Sequence, residues 1–373
     1  MRRRQLLGAI GTAVGGTALT GGTASAADGT ASAADGTAPA ADGTAPAADG
    51  TASAADGTTP AADGTASTAG GTMSAADGTY TDEYHDGLHY TKYVPSGASG
   101  GEPLVVMLHG CSQEPDEFAY ATGANDLAEQ EGFVVVYPDQ SSFSNPYGCW
   151  NWYYDANTAR GAGEGASITN IALHAAAEES LDTDRIYVAG FSAGAAMVPP
   201  LLASYADVYA AGGVHSGLEY DAADTATGAT YAMSFGGPNP YDQGEQAYDA
   251  MVDYGIVDRV PTVVFHGTAD GTVDDVNGDQ VRTQAVETND NVDGADDESI
   301  DTDPEDRVYD STGGYDYRRD RYVGSQGRVN VEYWLIEGMD HAWAGGTPGD
   351  SFVAPDAPDA TGAMWEFFSR WSL

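Results

Sequence analysis

The feature that most constrains the fold is a series of short, continuous apolar runs, each ending near glycine or a polar residue. Runs of this length and composition are typical of strands buried on both faces, and helical stretches lie between them. Strands that alternate with helices predict an α/β fold with a mostly parallel sheet covered by helices on both faces. The runs are "PLVVMLHG" (103–110), "FVVVYPDQ" (133–140), "RIYVAG" (185–190), "AAGGVHSG" (210–217), "TVVFHG" (262–267) and "VNVEYWLIEG" (329–338).

The pentapeptide "GFSAG", Gly190–Gly194, joins the third of these strands to a helical stretch. In a tight strand-to-helix turn of this pattern the serine is lifted toward the carboxyl edge of the sheet, and the glycines remove side chains where backbones would collide. The start of the following helix also favours developing negative charge. Ser192 is therefore the predicted nucleophile, and it needs a base and an orienting acid.

His341 is the predicted base among the seven histidines of the chain. It lies in "EGMDHAWAGG", a glycine-rich loop directly after the last apolar strand, whereas His215 and His266 end buried strands and are interpreted as structural. The predicted acid is Asp270, which follows "TVVFHG" by three residues. Its neighbours Asp274 and Asp275 are interpreted as solvated or capping groups. The chain order serine, aspartate, histidine is that of the α/β-hydrolases.

An oxyanion hole needs two backbone donors. The position after the nucleophile and the loop after the first buried strand predict the N–H groups of Ala193 and Cys111. Trp150 and Trp152 of "CWNW" are candidate ester-binding residues, with core and rim packing as the alternative. Trp343 of the histidine loop is a further candidate.

Several motifs in order resemble the esterase family of polyhydroxybutyrate depolymerases and related feruloyl and acetylxylan esterases. The motifs, which extend from about Tyr90 to the C-terminus, are "PLVVMLHGCSQ", "GFVVVYPDQ", "GCWNW", "RGAGEGASI", "RIYVAGFSAGAAM", "AAGGVHSGL", "VVFHGTADGTV" and "GMDHAWAGG". The resemblance implies an α/β-hydrolase fold, secreted ester hydrolysis without a cofactor, a nucleophile, acid and base at Ser192, Asp270 and His341, and oxyanion donors at Cys111 and Ala193.

The chain has two cysteines, Cys111 and Cys149, in two loops that both follow apolar strands. An even count in an exported protein favours a disulfide, and the resemblance implies this pairing; two separate buried thiols are the alternative.

The predicted function is a secreted serine esterase whose partner is a small-molecule or polymeric ester, most closely a 3-hydroxybutyrate-type polyester. No polymer-adsorbing module is visible in the sequence, which favours oligomers or soluble esters over an insoluble film. The alternatives are a feruloyl or acetylxylan esterase, a serine peptidase, and a non-catalytic surface protein that displays a hydrolase-like domain. The sequence leaves the acyl chain and the oligomeric state open.

The net charge is −43, from 57 acidic and 14 basic residues. Nucleic acid and anionic membranes are excluded as partners because both require basic patches. Acidic residues spread along the whole chain indicate a hydrated acidic surface, as in proteins from salty environments. The acidic stretch 289–306 is interpreted as a solvated loop beside the active site. It begins like a calcium-binding EF-hand loop but has Ile300 where a bidentate glutamate is required, so no metal site is predicted.

Residues 1–26 are predicted to be a signal peptide, with Arg3-Arg4 followed by leucines as in twin-arginine export signals. Residues 27–79 repeat units such as "AADGTAS" and are predicted to form a disordered acidic linker, since Asp-Gly, Pro and Ala units offer little to bury. Residues 80–373 are predicted to form the esterase domain, with no membrane contact after signal removal.

Overall fold

The computed structural model describes residues 77–294, 300 and 303–373. The predicted signal peptide and nearly all of the predicted repeat linker lie outside these residues and stay predictions. Each of the apolar runs forms a strand of one ten-stranded sheet, as predicted. The strands of this sheet are β1 (Thr79–His85), β2 (Leu88–Val94), β3 (Leu104–Leu108), β4 (Val134–Pro138), β5 (Ile186–Phe191), β6 (Ala211–His215), β7 (Thr262–Gly267), β8 (Asp306–Thr312), β9 (Tyr315–Val323) and β10 (Val329–Ile336).

The sheet has the strand order β1-β2-β4-β3-β5-β6-β7-β10-β9-β8. Its six central strands, from β4 to β10, are parallel, and antiparallel pairs extend it at both edges. A small parallel pair, β11 (Trp343–Ala344) and β12 (Val353–Ala354), follows the main sheet in sequence. The carboxyl ends of β5, β6, β7 and β10 therefore meet at one edge, where ligand sites of such sheets lie.

Helices cover both faces of the sheet. Alternate residues of β3 enter two different apolar clusters, with Val106 in one and Val105 in the other. This two-sided burial is why the central strands read as unbroken apolar runs rather than alternating ones. The helices are α1 (Pro115–Thr122), α2 (Ala124–Glu131), α3 (Asp155–Thr158), α4 (Gly163–Glu178), α5 (Ala193–Ser204), α6 (Ala226–Phe235), α7 (Pro240–Tyr254), α8 (Val276–Gly294) and α9 (Ala360–Phe368).

The helical stretch after β3 is divided into two helices, because Gly123 takes a left-handed backbone conformation (φ 64°) that ends α1 and begins α2. One sequence interpretation needs correction. The stretch 289–306 is not a solvated loop throughout: its first residues belong to α8, where Asn289 is fully buried and its side chain bonds the backbone of Val260. Ile300 is buried as well.

None of the helices in the described ranges has both the length and the apolar character needed to cross a bilayer.

Candidate active site

Ser192 occupies a strained turn between β5 and α5. Its φ of 54° and ψ of −118° lie in a region that few non-glycine residues adopt. The turn is held by a backbone hydrogen bond of 3.0 Å from the Ser192 N–H to the carbonyl of His215, at the end of β6. Strain of this kind at the edge of a central strand is a property of nucleophile elbows.

The two glycines of "GFSAG" are required by close packing, as the sequence indicated. A Cβ at Gly190 would lie 2.4 Å from the carbonyl carbon of Gly194, and a Cβ at Gly194 would lie 2.2 Å from the carbonyl oxygen of Leu108. Neither position can hold a larger residue unless β5, α5 and β3 move apart. The glycines thus allow the turn to sit tightly against the neighbouring strand.

Asp270 follows β7 and is 7% exposed. One carboxylate oxygen accepts hydrogen bonds from the N–H groups of Thr272 (2.9 Å) and Val273 (2.8 Å), and the other accepts one from Nδ1 of His341 (2.7 Å). Burial by itself raises the pKa of this carboxyl, but the hydrogen bond and charge of His341 outweigh it, so the pKa lies below its ordinary value. Asp270 is therefore ionised and oriented toward the imidazole.

His341 lies in the loop after β10, with its ring against Phe191 at a centroid distance of 4.8 Å. Because Phe191 directly precedes Ser192, the imidazole lies next to the strained turn. In the described part of the chain, Ser192 Oγ and His341 Nε2 share no hydrogen bond. Catalytic hydrogen bonds are often long until substrate binds, and the Asp270 contact leaves Nε2 as the nitrogen available to Ser192.

His215 supports this site without belonging to the predicted triad. The buried ring of His215 stacks between Phe265 (5.7 Å) and Trp343 (4.8 Å), and its Nε2 accepts a hydrogen bond from the N–H of Ala344. Burial lowers the pKa of His215 well below its ordinary value, so the ring is neutral and can accept. His215 thereby fixes the loop that carries His341, a role that no local sequence signal indicates.

The predicted oxyanion donors are the N–H groups of Cys111, in the loop after β3, and of Ala193, which directly follows Ser192. The N–H groups of Cys111 and Ala193 make no hydrogen bond with any residue that the structure describes. Gly110, next to Cys111, is close to the nucleophile: a Cβ there would lie 3.3 Å from Cβ of Ser192. Ala193 begins the twelve-residue helix α5, whose N-terminus favours negative charge.

Cys111 and Cys149 form a disulfide, as predicted, with a Cα–Cα distance of 4.2 Å. The bond ties the loop after β3 to the loop after β4. It therefore restrains the backbone at Cys111, the predicted donor.

The three tryptophans offered as ester-binding residues require a correction. Trp150, Trp152 and Trp343 are 0%, 7% and 1% exposed, so their rings pack in the core rather than line an open cleft. Trp150 donates from Nε1 to the carbonyl of His109, and Trp343 packs on His215. Trp150 and Trp343 thereby contact residues at the carboxyl ends of β3 and β6.

Glu164 holds the "CWNW" segment in place, a role that the sequence analysis did not predict. Its buried carboxylate accepts hydrogen bonds from the backbone N–H (2.7 Å) and the side-chain amide (2.6 Å) of Asn151 in "CWNW". Burial raises the pKa of Glu164, although the bonds from Asn151 oppose that rise. The two bonds join "GEG" to "CWNW" in the folded chain, and only the three-dimensional contact reveals them.

One group of described residues has the spacing of metal ligands, namely Glu83, His174 and Glu178. The ammonium of Lys92 already lies 2.8 Å from the carboxylate of Glu83 and 2.6 Å from that of Glu178. The group is thus an ion-pair network centred on the one lysine of the chain.

The fold and the site together define the class. A strained serine turn after a central parallel strand, followed in the chain by an aspartate and a histidine from later strand ends, is the arrangement of the α/β-hydrolases, and this chain is an α/β-hydrolase. Residues 88–305, more than half of the chain, match the family described as "Esterase PHB depolymerase". The protein belongs to that family, as its motifs predicted.

Individual proteins also resemble this chain in sequence or in fold. Poly(3-hydroxyalkanoate) depolymerase C of Paucimonas lemoignei is 34% identical over 277 residues, which cover 74% of this chain and 62% of that protein. Feruloyl esterase B of Thermothelomyces thermophilus is 32% identical over 37% of this chain and 47% of its own length. Among solved structures, an acetyl xylan esterase from Aspergillus awamori shares the fold, with a TM-score of 0.62, 22% identity, and coverage of 78% of this chain and 99% of that one. The chain thus spans about half to three fifths of the curated relatives described here.

Proposed function

We propose that the protein is a serine esterase that acts through Ser192, His341 and Asp270. The observation that carries the proposal is the 2.7 Å hydrogen bond between Asp270 and His341 at the sheet edge where the strained Ser192 turn lies. An aspartate that holds one imidazole nitrogen leaves the other free to take a proton from a serine hydroxyl.

The reaction follows from these positions. Ser192 Oγ attacks the ester carbonyl while His341 Nε2 takes the hydroxyl proton, and Asp270 stabilises the resulting imidazolium. The N–H groups of Cys111 and Ala193 donate to the oxyanion of the tetrahedral intermediate. When the intermediate collapses, His341 returns its proton to the departing alkoxide and an acyl-enzyme remains. Water then attacks the acyl group with His341 as base, which releases the acid and restores the Ser192 hydroxyl.

The proposed substrate is a 3-hydroxybutyrate-type polyester or its oligomers. The family and the Paucimonas lemoignei relative, named as a poly(3-hydroxyalkanoate) depolymerase, support this choice. The second candidate is a feruloyl or acetyl ester of plant polysaccharide, favoured by the feruloyl esterase match over a shorter part of the chain. Export through the twin-arginine route, before action outside the cell, is proposed from Arg3-Arg4 and the leucines that follow.

A substrate panel in molar salt tests the proposal. It compares 3-hydroxybutyrate oligomers and films, methyl ferulate, acetylated xylan and p-nitrophenyl esters, using the full chain and Ser192→Ala. Ser234→Ala, which alters an exposed serine on α6, is the matched control. We expect ester hydrolysis by the native chain and the control and none by Ser192→Ala. No hydrolysis of any ester by the native chain would instead support the non-catalytic alternative.

A further inference from the structure

An open groove of about 670 Å³ begins beside Cys111, the proposed oxyanion donor. Its wall includes Ser112, which directly follows Cys111, and it extends between the loop after β4 and the β1–β2 hairpin. We call it the aromatic groove and define it by Tyr84, Leu88, Ser112, Phe143 and Tyr147. None of these residues is used in the reaction described above.

The loop that forms one wall is fixed to the chain on both sides of the proposed donor, at His109 and at Ser112. The N–H of Ser112 bonds the carbonyl of Tyr147 (2.8 Å), and the N–H of Gln140 bonds Nε2 of His109 (3.1 Å). The disulfide joins Cys149, at the end of the loop, to Cys111 itself. This wall of the groove is therefore attached to the chain at Cys111 and on both sides of it.

The rings on this wall are unusually exposed. Phe143 is 98% exposed and Tyr147 is 73% exposed, and Tyr84 on the opposite wall is 63% exposed. Large apolar rings gain free energy when they are removed from water, and grouped exposed rings mark binding surfaces. These three rings line one groove whose wall also includes Ser112, the residue after the proposed oxyanion donor, so a bound ester chain is the ligand that would cover them.

Size and charge indicate what the groove holds. Its volume lies within the range of about 300–1,000 Å³ that accommodates a drug-sized ligand, which is far more than an acetyl group needs. Two carboxylate residues, Glu114 and Asp139, also line it. Like charges repel, so the groove disfavours a free carboxylate end and favours an uncharged chain.

We propose that the aromatic groove binds an uncharged oligoester chain next to the scissile bond, with Phe143, Tyr147 and Tyr84 as its specificity-determining contacts. This inference rests on the proposed esterase function and deepens it. Hydrolysis converts the ester into a carboxylate, which the acidic lining repels, so the same surface favours release of the shortened acid product.

The test compares the native chain with Phe143→Ala/Tyr147→Ala. The matched control is Tyr309→Ala, which removes a ring that is 71% exposed on β8. Substrates are the methyl ester of the 3-hydroxybutyrate trimer, methyl ferulate and p-nitrophenyl acetate. For the trimer ester we expect kcat/KM of the double variant to fall at least about tenfold, mainly through KM, since lost apolar contacts weaken binding. Hydrolysis of p-nitrophenyl acetate should stay within about twofold of the native rate, and the Tyr309 variant should behave as the native chain.

Each other outcome is decisive. An unchanged kcat/KM for the trimer ester overturns the inference while p-nitrophenyl acetate hydrolysis still upholds the esterase. A loss confined to methyl ferulate overturns the choice of an oligoester. If the double variant has a lower Tm, Phe143→Glu replaces it, because that change affects only a fully exposed ring; normal trimer hydrolysis by Phe143→Glu also refutes the inference. A native chain inactive on all three esters refutes the esterase proposal instead.

Discussion

Glu219 is a buried carboxylate whose removal should stabilise the protein. It follows β6 in "HSGLEYD", is 1% exposed, and packs beneath Gly237, where a Cβ would lie 2.7 Å from its Oε1. No residue in the described ranges hydrogen-bonds either carboxylate oxygen. Burial, with a smaller contribution from the charge of Asp221, raises the pKa of Glu219 from 4.5 to about 8.

The sign of the effect follows from proton linkage. Below pH 4.5 the group is protonated in both folded and unfolded chains, so it adds no pH dependence. Between pH 4.5 and 8 the folded chain retains a proton that the unfolded chain has lost, so the free energy of unfolding falls as pH rises. At about 1.4 kcal/mol for each pKa unit, the penalty is about 3 kcal/mol at pH 7 and about 5 kcal/mol above pH 8.

Glu219→Gln keeps the shape of the side chain and removes the charge. We expect it to match the native chain near pH 4.5 and to be more stable by about 1–3 kcal/mol at pH 7. Denaturant unfolding at fixed molar salt, repeated from pH 4.5 to 8.5, measures the difference. Glu245→Gln, which alters an exposed glutamate on α7, is the control. A stability gain for Glu219→Gln that is the same at every pH, or none at all, would refute the reasoning.

Three further predictions concern the surface, the acid and the disulfide. With a net charge of −43, Tm should fall sharply on transfer from 1 M to 0.01 M salt, as the Debye length grows from about 3 Å to about 30 Å; equal Tm values would contradict a repulsive acidic surface. Asp270→Asn should lower kcat by on the order of 10⁴, whereas Asp274→Asn, at an exposed cap of α8, should leave kcat nearly native; similar kcat values for the two variants would remove Asp270 from the triad. Cys149→Ala should lower kcat more than it raises KM, because a displaced Cys111 N–H weakens the transition state, and should lower the free energy of unfolding by up to about 4 kcal/mol; native kinetics would show that the bond does not position the donor.

The parallel centre of the fold could be predicted because two-sided burial leaves a direct mark on the sequence. The edge strands could not. β8 reads "DRVYDST" and is exposed along most of its length. An ion pair between Arg307 and Asp320 reinforces its pairing with β9. The strand has no apolar periodicity that would predict this pairing. The hairpin therefore depends on contacts between polar residues whose sequence is typical of a loop.

The site likewise contains residues that the sequence predicts and residues that it does not. Ser192, Asp270 and His341 were selected because each follows a strand, and strand ends of a parallel sheet converge. The hydrogen bond from the Ala344 N–H to His215 and the one from Asn151 to Glu164 form only in the folded chain. No sequence pattern therefore predicts them. The sequence leaves the tryptophans of "CWNW" open between ester binding and packing, because an aromatic residue beside a catalytic motif fits either a cleft or the core beneath it, and their burial favours the core.

The most direct test of the account is the identity of the reactive serine. The full chain is treated with a fluorophosphonate in molar salt, and the modified residue is located by peptide mass spectrometry while esterase activity is followed. The account predicts one label per chain, on Ser192, with activity lost in proportion to labelling, and no label on Ser192→Ala. A label on a different serine, or a Ser192→Ala variant that still hydrolyses esters, would contradict it.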